Sequence, residues 1–119
     1  MENIIQIKKY CETALSMTDG EKIRDVINSV IEEKGKVILD FTDISLFATP
    51  FFNACIGHFV ANLSPEIFEQ KISCINLSNL GKETYQYSYN NAVIVYNRNV
   101  SEKEKQKITD IIEKNINNS

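Results

Sequence analysis

Apolar residues recur three and four positions apart at Ile23, Val26, Ile27, Val30 and Ile31, the spacing that lines one face of an α-helix. Thr18-Asp19-Gly20-Glu21 just upstream has the capping-box spacing, and Gly35 follows the last apolar position. A helix starting at Thr18 and ending at Gly35 is predicted. The period then changes: Val37-Ile38-Leu39 with Phe41 is a short continuous apolar run, which predicts a central strand covered on both faces. Ile4 to Ile7 reads as a first strand, and the poorly patterned stretch from Lys8 to Met17 as a loop or a second strand. Further on, Thr49 can cap and Pro50 can take the first position of a helix running to about Leu63. Phe52, Cys55, Ile56, Phe59, Val60 and Leu63 fall on one face of it. Ser64-Pro65 repeats the cap-plus-proline device for a short helical turn through Phe68.

Ile72 to Leu77 is the next predicted strand, and a weakly patterned helix follows from Leu80 to roughly Asn90. The β-branched run Ala92-Val93-Ile94-Val95-Tyr96 predicts a strand. Ser101 and Glu104 form another capping box ahead of Ile108, Ile111, Ile112 and Ile116, a terminal amphipathic helix. Strands alternating with helices of this length imply parallel neighbours joined by right-handed crossovers. The expected fold is α/β with the order β-α-β-α-β-α-β-α, a single domain over residues 1–119.

Composition narrows the function classes. From Ile44 through Pro65 there is no Asp, Glu, Lys or Arg, although charged residues make up 24% of the chain. A helix without charges lacks an obvious water-facing side, so its second face packs inside the domain or waits for a partner. The segment is not expected to enter a membrane, because Pro50, Asn53, Gly57, His58, Asn62 and Ser64 would carry polar groups into hydrocarbon. A formal charge of -3 argues against nucleic acid and anionic lipid, both of which reward clustered cations. Cys11, Cys55 and Cys74 are odd in number and lack metal-ligand spacing, which fits reduced thiols in a cytoplasmic protein. The N-terminal residues do not form a secretory signal pattern.

Candidate chemistry is sparse. Phe51, Ala54, His58 and Ala61 lie on the side of the middle helix opposite its core set, with Phe47 just ahead of it. An exposed ring at Phe51 with small neighbours would make a docking surface, unless the helix is sandwiched within its own domain. His58, the single histidine, is not followed by a Cys, Asp or Glu at the third or fourth position after it, and no carboxylate lies within that helix, so it makes neither a metal site nor an activated base. Asp40 ends the central strand, at the edge of a parallel sheet where ligands bind, and Asp43 follows in the loop. Both also suit ordinary turn chemistry. Tyr85, Tyr87 and Tyr89 have no interleaved cations and form no base-stacking platform. The glycines are scattered singly, so no phosphate loop is present. Catalytic residues, a metal and a cofactor are not expected.

The strand end Leu39-Asp40-Phe41 followed by Thr49-Pro50-Phe51-Phe52, then Glu66-Ile67-Phe68 and Ile75-Asn76-Leu77-Ser78, resembles the STAS-like family of small bacterial proteins. That family is related to the anti-sigma-factor antagonists. The resemblance runs from about Ala14 to Ile112 and implies a mostly parallel four- to five-stranded sheet covered by helices. It further implies a protein partner, a histidine-kinase-like ATPase or serine kinase, or an anti-sigma-type switch protein. In the antagonists such a kinase phosphorylates a serine at the start of the helix after the second core strand, adding about two negative charges that break the complex. Their pattern there is Asp-Ser-Ser-Gly or Asp-Ser-Thr-Gly, whereas this chain has Ala48-Thr49-Pro50-Phe51. Thr49 keeps the hydroxyl of a phosphoacceptor but loses the acidic neighbour and the glycine, and it equally serves as a plain N-cap.

The expectation is a non-enzymatic regulatory module in the cytoplasm that binds a protein through Phe47, Thr49, Phe51, Ala54 and His58. A homodimer through the exposed helix is a further expectation. The alternative is a sensor that binds a small ligand or nucleotide at the strand ends near Asp40 and Thr49.

Overall fold

Three short parallel strands and a set of helices stacked on one of their faces make up the computed structural model, which describes residues 3–117. Strand β1 is Ile4–Gln6, and a single 3-10 turn, Ile7–Lys9, leads out of it. Helix α1 is Met17–Lys34 and strand β2 is Val37–Asp40. Helix α2 spans residues 49–63 as Thr49–Phe52, a wider π turn at Asn53–Gly57, and His58–Leu63. Helix α3 is Pro65–Lys71, strand β3 is Ile72–Ile75, and helix α4 is Asn79–Asn117.

The sheet order is β1-β2-β3, with Ile4, Ile5 and Gln6 beside Ile38, Leu39 and Asp40, and Val37 to Asp40 beside Ile72 to Ile75. Because the strands are laid down side by side in one direction, right-handed crossovers return on the same side of the sheet. That side is the core: Ile5, Val37, Leu39 and Ile72 are buried. The alternate residues face away from the helices, and Ile4 and Ile75 are 50% and 37% exposed. The expectation that β2 is covered on both faces therefore fails, and its residues alternate between buried and half-buried.

Phenylalanines fill the space between sheet and helices. Phe41, Phe51, Phe52 and Phe68 are all at most 1% exposed. Phe52 touches the rings of Phe41, Phe47, Phe51 and Tyr85, stacking parallel to Phe47 at 6.1 Å between centroids. Such contacts add about 0.5–1.5 kcal/mol per pair beyond the burial of their area.

Two of the predicted starts move. Helix α1 is capped by Ser16, whose Oγ accepts the Asp19 amide at 3.0 Å, and Thr18 lies inside the helix. Gly35 does end it, in the left-handed conformation at φ 81° that a glycine adopts without strain. Helix α2 is capped by Ala48 rather than Thr49, with no side-chain hydrogen bond. Ser64-Pro65 starts α3 as expected, the Ile67 amide donating to Ser64 Oγ at 3.3 Å.

The larger correction lies in the last third. Ala92 to Tyr96 is helical, not a strand, and Ser101 and Glu104 sit in mid-helix rather than at a start. Residues 79–117 form one helix, so the described residues hold three strands, and the expected fourth is absent among them. Ser88 and Ala92 are buried and Tyr85, Tyr89, Val93 and Tyr96 half-buried, which is helical spacing and overrides the β-branched composition. The side chains of Ile108, Ile112 and Ile116 lie outside the described residues, and Ile111 is exposed.

Candidate protein-docking groove

Helix α2 is placed by its neighbours before any of its side chains acts. The amide of Ala14 donates to the Leu46 carbonyl, and the Ala48 amide to the Ala14 carbonyl, each at 2.9 Å, so the chain before α1 fixes the entry to α2. The first turn of α1 then crosses α2 at Gly20. A methyl group added there would collide with the Phe51 carbonyl oxygen and stand 2.8 Å from Ala54 Cβ, a separation only glycine allows. On the other side the buried Ser88 of α4 donates to the Thr49 carbonyl at 3.4 Å.

These contacts correct the expected surface. Phe51 is 0% exposed and Phe47 8%, both inside the aromatic cluster, so neither ring is presented to a partner. Phe51 stands four residues ahead of the buried Cys55, at the border of the inward set, and α1 closes over it at Gly20. Thr49 is half-buried at the first helical position.

What remains of the second face of α2 lines a groove of about 550 Å³ between α1, α2 and α4. Its floor is Pro50, Asn53, Ala54, Gly57, His58 and Ala61. Met17, Glu21 and Arg24 of α1 form one wall, and Ser88, Asn91, Ala92 and Val95 of α4 the other. The structure thus brings together Ala54 and His58 of the expected surface and adds Met17 and Val95. Met17, 59% exposed, belongs to no periodic apolar stripe, and Val95 was assigned to a strand. Among the described residues lining the groove, the charged ones are Glu21 and Arg24, both on α1. The exposed His58 ring stands edge-on to Phe59, and Asn62 donates to the His58 carbonyl at 2.7 Å. Non-α turns of this kind recur at functional positions of helices, and here the π residues themselves form the floor.

The other expected residues sit apart from this groove. Asp40 Oδ1 accepts from the Thr42 hydroxyl at 2.6 Å, the Thr42 amide at 2.9 Å and Asn76 Nδ2 at 2.9 Å. The bond from Asn76, then those from Thr42, holds its carboxyl below the usual range. The cluster pins the ends of β2 and β3 together, a structural task that uses one carboxylate oxygen fully. Asp43, at φ 66°, lies in a depression of about 320 Å³ with Asp40, Thr42, Gln6, Lys8 and Lys9. Thr49 is not among the residues lining that depression.

Among the described residues, no three His, Cys, Asp or Glu side chains converge to hold a metal ion. Burial raises the Cys55 thiol well above its ordinary range and the Cys74 thiol to about 12, which leaves both protonated and unreactive near neutrality. Burial likewise raises Tyr85. No described helix is long and apolar enough to cross a membrane.

No curated protein and no solved structure matches the chain. A family pattern does, over residues 19–82, which begins in the first turn of α1, includes β2, α2, α3 and β3, and stops four residues into α4. Apart from Met17, the α1 and α2 sides of the groove fall inside the matched segment, and the α4 wall lies beyond it. With a mixed α/β architecture and a match over more than half its length, this chain belongs to the STAS-like domain family of unknown function.

Proposed function

We propose that this chain is a regulatory protein-interaction module without catalytic activity, and that its partner surface is the groove between α1, α2 and α4. The single observation that carries the reading is the floor of that groove: a stretch of α2 without a charged residue, left outside the core and lined by small side chains. Grooves of this shape accept the apolar face of a helix, whose side chains enter between the flanking helices. The relation to anti-sigma-factor antagonists makes a histidine-kinase-like ATPase or anti-sigma-type switch protein the partner of choice. Docking would then centre on Ala54, His58 and Ala61, one turn and more past Thr49.

The test is binding of the purified chain to histidine-kinase-like ATPases from the same genome, measured by calorimetry, with Ala61→Arg as the groove-blocking variant. Expected is a complex with wild type that weakens at least tenfold in the variant, while the thermal melt of the variant alone stays put. Absence of binding across those ATPases, or binding indifferent to Ala61→Arg, overturns the reading.

A further inference from the structure

The sheet stops at β3 and leaves hydrogen-bonding groups at its free edge. The Phe41 amide donates to the Ile75 carbonyl at 3.1 Å, so Ile75 turns its backbone toward β2. Alternation along the strand then turns the amide and carbonyl of Cys74, and the carbonyl of Ile72, to the opposite side. Among the described residues no strand pairs with them there. A groove of about 710 Å³ lies along this edge, between β3 and Phe68, Glu69, Lys82, Tyr85 and Gln86 of α3 and α4. Helix α4, meanwhile, carries the composition of a strand in its middle. From Tyr87 to Ser101 only Ala92 and Arg98 are strong helix formers, and the rest are β-branched, aromatic, Asn or Ser. Packing holds the first part of this stretch as helix: Ser88 and Ala92 are buried, and Gln86 Nε2 donates to Asn90 Oδ1 at 2.8 Å. Beyond that the support thins. Ile94 and Val95 are 56% and 40% exposed, and Asn97, Arg98 and Asn99 are exposed too. Asn90-Asn91 on one side and Asn97 with Asn99 on the other flank the run with residues that suit turns. The capping box of Ser101 and Glu104 stands in mid-helix, where it serves no helix start.

We propose that the free edge of β3 is a strand-accepting site and that its occupant is Ala92 to Tyr96 of the same chain, in a second conformation in which α4 ends near Tyr89. The dimensions fit. Residues 79–90 make a helix of about 18 Å, enough to run back past a β3 of about 13 Å. Residues 76–91 exceed the dozen that a parallel crossover needs. The crossover is right-handed and returns on the same side of the sheet as the two before it, so the new strand follows β3 in the order β1-β2-β3. Alternate side chains of that strand enter the groove against Phe68 and Tyr85, and the others lie beside Ile75, itself 37% exposed. The exchange gives up the burial of Ala92. It gains backbone pairing at Cys74 and contacts for Ile94 and Val95, which the helix leaves exposed. It also withdraws Asn91, Ala92 and Val95 from the groove between α1, α2 and α4. Where the docking reading above holds, a bound partner therefore favours the helical form. The strand itself does not depend on that reading.

Nuclear magnetic resonance of the full chain, alone in solution, tests this. Residues 90–100 should give two sets of backbone signals, one helical and one extended, the second with amide contacts to Ile72 through Ile75. Asn90→Ala with Asn91→Ala, both at exposed positions, favours the helix and should lower the extended fraction roughly fivefold. Location is read by disulfide trapping. Ser73→Cys combined in turn with Val93→Cys, Ile94→Cys or Val95→Cys should close a link within one chain in at least one of the three pairs. Circular dichroism of each variant reports whether the fold is intact. A wild type that shows helical signals only overturns the proposal. So does an extended set unmoved by the double alanine variant, failure of all three pairs to link, or a link that forms only between two chains, which makes a second copy the occupant. Partner binding is read separately through Ala61→Arg, so either reading fails without the other.

Discussion

The two faces of α2 share one uncharged stretch of sequence and end in opposite states. One face sends Phe51, Phe52, Cys55, Ile56, Phe59 and Val60 into the core, each at most 5% exposed. The other offers Asn53, Ala54, His58 and Ala61 to a groove. The difference is one of size. Large rings exclude water only where sheet and helices close around them, while alanine and glycine have too little side chain to fill the gap between α1 and α4. An absence of charge therefore marks two things at once: a core that the chain completes by itself, and a floor left for something else.

The largest effect expected from breaking this contrast is at Phe52. Phe52→Ala removes a ring that four others touch, and the loss should be about 3–5 kcal/mol, seen as a lower denaturant midpoint. On the opposite face, Ala61→Arg should change stability by no more than about 0.5 kcal/mol. If the two substitutions cost alike, the faces do not differ as described.

Next is the crossing that separates them. Gly20→Ala gains about 1 kcal/mol of helix propensity, but its methyl would meet the Phe51 carbonyl and Ala54, and overpacking costs about 1–3 kcal/mol. Backbone atoms cannot swing aside, so a net loss of about 1 kcal/mol is expected by chemical denaturation. An unchanged or raised stability would show that α1 moves freely over α2.

The smallest effect lies outside both faces, at the strand ends. Hydrogen bonds from Asn76 and Thr42 lower the folded Asp40 pKa, below an unfolded value of about 3.9. Its contribution is complete above that value and fades as pH falls through the folded pKa. Asp40→Asn should therefore flatten the melting temperature against pH only below about pH 4. An acid dependence left unchanged by Asp40→Asn would place the titrating group elsewhere.

Much of this was open to reading along the chain. The apolar repeat of α1, the αL glycine at Gly35, the Ser64-Pro65 start and the inward set of α2 follow from local chemistry, because each needs only neighbours within a turn or two. The run Ala92 to Tyr96 misled because β-branched composition is a weak preference that packing overrides; the spacing of Ser88, Ala92 and Tyr96 was the better signal. Phe51 misled because it borders the inward set, four residues ahead of Cys55, and is covered only once α1 closes over it at Gly20.

What the sequence determined by itself is a set of amphipathic pieces and a conspicuous uncharged middle, since side-chain size and charge are fixed residue by residue. Tertiary structure alone decided which uncharged positions are core and which are floor. That depends on how closely α1 approaches at Gly20 and where α4 lies, distances set by contacts between residues far apart in the chain.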